Sequence, residues 1–336
     1  MIYIFCDSDN GVTTPGTLYQ TSAAWPANSD RWSSIASAIA NTTIQGLADD
    51  LTFLVQGANN FAAFNTAALT AALSVLVEGD ATGAVWDDSK ATCSGSAGGG
   101  VATLALAVPQ TVRNIQLING LSTGTPRGVF CIGTGACILD GLKVKFTGVT
   151  LNAGGAGVTA TTAAAVTVQN CIFDVISPNS NTTAAGINLT STSVGNFYNC
   201  VFRGRAGQAN TPDNCVNCVF FEFSSIGASS SGNYKNCVTV TGTGTNPVTV
   251  SDFALVFQDY ERFDYRLRAN SPLIGAGIGP TADAAVPTTD IAGNTRSGST
   301  TTVGATMYVP IGQRAIKQSN RIASAPATMA GAGANA

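Results

Sequence analysis

The 336 residues contain no histidine, so a Ser-His-Asp triad, a Cys-His pair and a histidine-ligated metal centre are excluded. What remains is carboxylate, Lys/Arg and cysteine chemistry. A glycosidase-type pair of carboxyls must stand roughly 5–9.5 Å apart, and the acids available between residues 91 and 250 are Asp140, Asp174, Asp213 and Glu222. Asp213 is accompanied by Arg203 and Arg205. Cys215-x-x-Cys218 has the spacing of a metal or redox pair. The glycine-rich Ser94-Gly-Ser-Ala-Gly-Gly-Gly100 lacks the lysine and following helix of a phosphate loop, and reads as a linker or tight bend.

Whether any of these groups meet depends on the elements that carry them. Six segments share one pattern: apolar, any, Asn or Gly, apolar, any, then apolar or Thr. They are Val112-Arg-Asn-Ile-Gln-Leu117, Leu139-Asp-Gly-Leu-Lys-Val144, Val168-Gln-Asn-Cys-Ile-Phe173, Phe197-Tyr-Asn-Cys-Val-Phe202, Cys215-Val-Asn-Cys-Val-Phe220 and Tyr234-Lys-Asn-Cys-Val-Thr239. Successive copies are 27, 29, 29, 18 and 19 residues apart. Asn and Gly tolerate the left-handed backbone, so Asn114, Gly141, Asn170, Asn199, Asn217 and Asn236 predict a corner between two short strands in each coil. Coils stacked about 4.8 Å apart would let the Asn side chains bond along the axis, and each repeat would need neighbours to bury its apolar face. The shortening after Cys200 predicts a solenoid that loses its lateral loops toward the C-terminal half.

The repeat recasts the candidate chemistry. One column reads Ile118, Lys145, Asp174, Arg203, Phe221, Val240, so Lys145, Asp174 and Arg203 alternate in sign as a structural charge ladder. Asp140 faces Arg113 on one side and Gln169 on the other. The four acids share no column, and a hard cation wants six or more oxygens, so no Ca²⁺ site is expected. Cys171, Cys200, Cys218 and Cys237 fall in one apolar column, which makes them a buried thiol ladder of small hydrophobes. No catalytic, cofactor-binding or metal-binding residue is assigned.

Only 10% of residues are charged, against about 25% in an average domain. A surface so poor in charge is expected to be covered in an assembly. Residues 1–90 hold nine acids against two bases, and the one basic cluster is Arg314, Lys317 and Arg321. Nucleic acid is therefore not an expected partner. No stretch of about 18 apolar residues suggests a membrane span. Met1-Ile2-Tyr3-Ile4-Phe5-Cys6-Asp7 lacks the basic start of a signal peptide, so synthesis in a reducing cytoplasm is expected for the nine cysteines.

The chain resembles the right-handed parallel β-helix proteins similar to pectate lyases and phage tailspikes. The likeness rests on the Asn corners, on an opening with Asp7-Ser-Asp-Asn-Gly11, Trp32-Ser-Ser-Ile-Ala-Ser-Ala-Ile39 and Asp50-Leu-Thr-Phe-Leu-Val-Gln-Gly57, and on a close with Asp264-Tyr-Arg-Leu-Arg-Ala-Asn-Ser-Pro272 and Asp290-Ile-Ala-Gly-Asn-Thr-Arg296. It implies an all-β fold: a single right-handed parallel β-helix with a short capping helix over residues 32–40 and an extended C-terminal tail. Residues 1–57 would be the capping strand and helix, 58–310 the β-helix, with 264–296 in its last coil, and 311–336 an Ala/Ser/Gly-rich basic tail. The expected function is a non-enzymatic bacteriophage virion component, a capsid decoration protein of cement or head-spike type. It would be a homotrimer by analogy and would meet the major capsid protein through residues 313–336. The alternative is a tailspike-like protein that binds or depolymerises a host surface glycan. That role needs a groove with aromatics and at least two acids, and the tryptophans are Trp25, Trp32 and Trp86.

Overall fold

The structure, a computed structural model, describes residues 1–308 except 8, 10, 13–17, 20–24, 28–29, 58–59, 63, 71, 96–101, 108, 121–126, 133–134, 148–155, 161–164, 177–184, 190–193, 205–212, 224–233 and 240–243. The expected tail at 311–336, Arg205, Val240 and most of the 94–100 bend lie outside the described residues.

Three parallel sheets add their strands in chain order, the arrangement of an all-β parallel solenoid. The first has nine strands, from Ile2–Asp7 and Asp50–Gln56 through Ala136–Asp140 to Tyr234–Lys235. The second has seven, from Asn60–Ala62 to Val219–Phe221, and the third five, from Phe64–Asn65 to Ala185–Leu189. Val112, Leu139, Val168, Phe197, Cys215 and Tyr234 share one row of the first sheet, the register the repeat implies. Asn114, Gly141, Asn170, Asn199, Asn217 and Asn236 all have φ between 50° and 68°. At Gly141 a side chain would also collide, because its Cβ would stand 2.8 Å from Asn114 Oδ1.

The Asn ladder bonds in part. Asn217 Nδ2 donates to Asn199 Oδ1 at 3.0 Å, and Asn170 Nδ2 turns to Asp140 Oδ1 at 3.0 Å. Inside the coils Phe173, Phe202 and Phe220 stack at 5.1 and 4.9 Å between centroids. Each such buried ring contributes about 1.5–3 kcal/mol. The interval between corners shortens where the third sheet stops: among the described residues no third-sheet strand follows Ala185–Leu189.

The helix expected over 32–40 is confined to Ile35–Ile39, because the Ser34 side chain accepts from Ser37 N and starts it there. Trp32 is extended instead, and its backbone bonds Phe5 and Asp7 along the free edge of the first strand. A second short helix, Thr42–Gln45, follows.

The close of the chain differs most from expectation. Residues 264–296 add no coil to the three sheets. Strands Phe257–Asp259 and Asp264–Leu267 pair antiparallel, as do Gly277–Ile278 and Thr300–Thr301. Side chains alternate across a strand, so Ile172, Val201, Val219 and Phe221 point away from the coil interior. They form a second core with Val256, Phe257, Tyr265, Leu267, Leu273 and Val303. The strands Ile172–Asp174, Val201–Arg203 and Val219–Phe221 thus pack against a core on either side.

Candidate functional site

The column Lys145, Asp174, Arg203, Phe221 forms in register on the outer face of the second sheet. Its centre is a closed network at the seam with the C-terminal segment. Arg203, whose side chain is 8% exposed, donates from Nη1 to Asp174 Oδ2 at 3.4 Å, from Nε to Glu222 Oε2 at 2.8 Å and from Nη2 to Glu261 Oε1 at 2.5 Å. The Tyr265 hydroxyl donates to the same Asp174 oxygen at 2.9 Å. The Arg203 guanidinium carbon stands 4.7 Å from the Tyr260 ring centre.

Two residues beside this network hold a backbone that L side chains rarely adopt. Glu222 has φ 61° and Phe263 φ 60°; among the described residues every other left-handed position is Asn or Gly. Each costs about 1–2 kcal/mol. The bend at Glu222 turns its carboxylate back to Arg203, and the bend at Phe263 leads from the 3-10 turn Tyr260–Arg262, which carries Glu261, into the strand that carries Tyr265.

Burial raises the Asp174 carboxyl above its ordinary pKa against the opposing pull of the Arg203 charge and the Tyr265 hydroxyl. Burial alone would lower Arg203, but hydrogen bonds to Glu222 and the charge of Asp174 outweigh it and raise the guanidinium. Burial, then the Asp174 charge, push Tyr265 well up.

Lys145, the expected rung beside Asp174, turns to Trp86 instead, with Nζ 5.6 Å from the ring centre. Trp86 lies on a strap, residues 79–91, tied over the second sheet. Gln116 Nε2 donates to Asp87 O at 2.7 Å while Asp87 N donates to Gln116 Oε1 at 2.9 Å. Lys143 Nζ donates to Val85 O at 2.8 Å, and burial brings its pKa down to about 8. The ring packs edge-on to Phe263 at 5.3 Å. A cleft of about 750 Å³ opens over Lys145, Asp174, Arg203, Glu222 and Glu261. Trp86, Arg266 and Asp290 border another of about 670 Å³.

The remaining candidates are not drawn in. Asp140 stands in register between Arg113 and Gln169, but Arg113 pairs with Glu78 at 2.8 Å. Asp213 accepts from Gly195 N at 2.7 Å and serves the first sheet. All nine cysteines are free and buried. The thiols after the corners do more than fill space: Cys171, Cys200, Cys218 and Cys237 lie 3.1–3.5 Å from the carbonyl oxygens of Gln169, Tyr198, Val216 and Lys235. Two also accept, from Leu142 N and Cys218 N, each at 3.3 Å. Burial raises Cys200, Cys215, Cys218 and Cys237, the wrong direction for nucleophiles.

Among the described residues no three Cys, Asp or Glu side chains converge as a metal centre, and no helix is long and apolar enough to cross a membrane. The repeat brings Asp174 and Arg203 together from sequence alone. Glu261, Tyr260 and Tyr265 come from a segment without repeat copies, and nothing in the sequence marks Glu222 as left-handed. No family model, curated protein or solved structure matches this chain.

Proposed function

We propose that this chain is a non-enzymatic structural component of a bacteriophage virion, a capsid decoration protein of the cement or head-spike type, built on a single right-handed parallel β-helix. The observation that carries the non-enzymatic part is the sharing of Arg203 among Asp174, Glu222 and Glu261. The acids converge on a buried cation and a tyrosine, which makes the cluster a tie between coil and C-terminal segment. The right hand follows from the near-universal chirality of parallel crossovers. Helix Ile35–Ile39, whose Ile35, Ala38 and Ile39 are buried in the main core, serves as the cap of the first coil. The virion assignment rests on the scarcity of charge, which suits a surface covered in a large assembly. Its partners would be further copies, a trimer by analogy, and the major capsid protein. Mass spectrometry of purified particles tests the assignment: the chain is expected among virion proteins, and its absence would refute it.

A second reading, a tailspike-like protein that binds or cleaves a host glycan, is favoured by one observation. Among the described residues the two strained positions that are neither Asn nor Gly are Glu222, which lines a cleft with the carboxylates of Asp174 and Glu261, and Phe263, two residues from Glu261; strain of this kind gathers at functional sites. Incubation with host capsule or lipopolysaccharide separates the readings. New reducing or unsaturated ends, lost in Asp174→Asn, would establish the second and overturn the first.

A further inference from the structure

The described chain ends at Tyr308, beside a cleft. Thr306 and Met307 line the cavity of about 670 Å³ that strap residues 82–88 also border, and Met307 is fixed there by donating from N to Asp290 Oδ2 at 2.8 Å. The lining is mainly apolar, with Ala84, Val85, Trp86, Ala292 and Met307. Two exposed carboxylates, Asp87 and Asp88, complete it. Asp88 Oδ1 accepts from Trp86 Nε1 at 2.9 Å, and Asp87 Oδ1 accepts from Ser89 N and Oγ at 3.0 and 2.6 Å; these donors are neutral. The cations nearby are committed elsewhere. Arg266 pairs with Asp264 and Lys90 with Asp80, Lys143 is buried on Val85 O, and Lys145 lies against the Trp86 ring. Lys90 and Lys143 act on Asp87 only from a distance, and neither Asp87 nor Asp88 forms an ion pair among the described residues.

We infer that this cleft is the docking site of the chain's own C-terminal segment, residues 309–317, with Val309 and Ile311 against the apolar lining and Arg314 at Asp87 and Asp88. Three observations select that occupant. The chain leaves Tyr308 from the cleft itself, and the six residues on to Arg314 reach up to about 20 Å, more than twice the roughly 9 Å edge of a cube of about 670 Å³. The order of residue types matches the lining: Val309-Pro310-Ile311 is apolar, and Arg314 follows. The charge is complementary, because residues 309–336 hold Arg314, Lys317 and Arg321 and no acid, while the two exposed carboxylates lack a cationic partner. An arginine can also stack on a tryptophan face. Attachment favours the chain's own cleft over a neighbour's. A short tether supplies an effective concentration of about 1 mM, so a contact with an affinity of roughly 0.1 mM fills the cleft about nine-tenths of the time. The inference does not depend on either function proposed above.

Carbodiimide cross-linking of the full chain, mixed as equal parts of ordinary and heavy-nitrogen-labelled protein, tests it. Lys317 is the single lysine of residues 309–336. The reagent joins its Nζ to a nearby carboxyl as an amide, and the water lost is taken up as the urea. Amides from Lys317 to Asp87 or Asp88 are expected, within chains of one isotopic kind. Ile311→Asp, which sets a charge against the apolar lining, should cut their yield about tenfold or more. Arg314→Gln should cut it about two- to fivefold, the size of an exposed ion pair, and both variants should keep the wild-type circular dichroism. Lys317 amides spread evenly over acids that do not line the cleft, such as the exposed Asp252, would overturn the inference. So would amides that mainly join light chains to heavy ones, or a yield indifferent to both variants. Host capsule oligosaccharide that shields Trp86 from acrylamide quenching, with no amide to Asp87 or Asp88 formed, would give the cleft to a glycan instead.

Discussion

The Tyr265 hydroxyl reaches across 91 residues of sequence to donate to Asp174 Oδ2 at 2.9 Å. That bond joins a strand of the coil to a segment that belongs to none of the coils, and Arg203 doubles it by holding Glu261 of the same segment. A carboxyl pinned from both sides is well placed to hold two layers together and poorly placed to move.

Removing its acceptor should show this. Asp174→Ala leaves a buried tyrosine hydroxyl unpaired and should cost about 1–3 kcal/mol. Asp174→Asn keeps an acceptor for Tyr265, while Glu222 and Glu261 still balance Arg203, so its cost should stay below about 1 kcal/mol. Urea denaturation of the two variants gives the comparison; equal losses would contradict the role assigned to the bond.

Asp174 also sets a pH dependence of unusual sign. Burial raises its folded pKa above the ordinary 3.8, so the folded state binds the proton more tightly than the unfolded chain. Its contribution is then fully present below pH 3.8 and is lost as pH rises through the raised value. The stability of Asp174→Asn relative to wild type should therefore climb between about pH 4 and neutrality. A relative stability that falls over that window would mean that the carboxylate, and not the acid, is the favoured form.

The corners give a prediction about backbone and side chain separately. Asn217 holds φ 56°, donates to Asn199 Oδ1 and Ile278 O, and accepts from Ile278 N. Asn217→Gly keeps the left-handed bend and loses only the bonds. Asn217→Ala loses both and should be less stable than the glycine variant by about 1 kcal/mol or more. Thermal unfolding of the pair decides it, and an alanine variant as stable as glycine would show that the bend is not what selects Asn.

Those corners mark how much of the fold the sequence discloses. An Asn column is legible because only a few residue types accept a left-handed bend, and the same register places Lys145, Asp174 and Arg203 on adjacent strands. The site's other half is not legible. Glu261 and Tyr265 approach from a segment whose contacts depend on the outward side chains Ile172, Val201 and Val219, and an apolar residue in a short strand reads the same whether it faces the coil or a second core. Lys145 shows the limit even inside the column: strand register fixes its position, but the neighbouring strap draws its ammonium to Trp86.

The thiols offer an independent check on burial. With all nine cysteines buried and the Cys200, Cys218 and Cys237 thiols raised in pKa by burial, an aromatic disulfide reagent should label none in the native protein at neutral pH and all nine after denaturation. Cys137, which a hydrogen bond from Cys131 lowers, is still 1% exposed and should be protected with the rest. Native labelling of Cys215 or Cys218 would contradict a sealed coil interior.

The most direct test of the central claim, that the Arg203 cluster ties the C-terminal segment onto the coils, is hydrogen exchange in Arg203→Met. Removing the cation leaves the buried Asp174 without its ionic partner, a loss of roughly 3 kcal/mol where a buried pair is broken, and frees Glu222 and Glu261, which are 35% and 65% exposed, to solvent. Exchange is predicted to quicken across residues 253–267 while Ala165–Gln169 and Val194–Tyr198 keep wild-type protection. Unchanged protection over 253–267, with a change confined to glycan binding or cleavage, would contradict the structural account and return the cluster to catalysis.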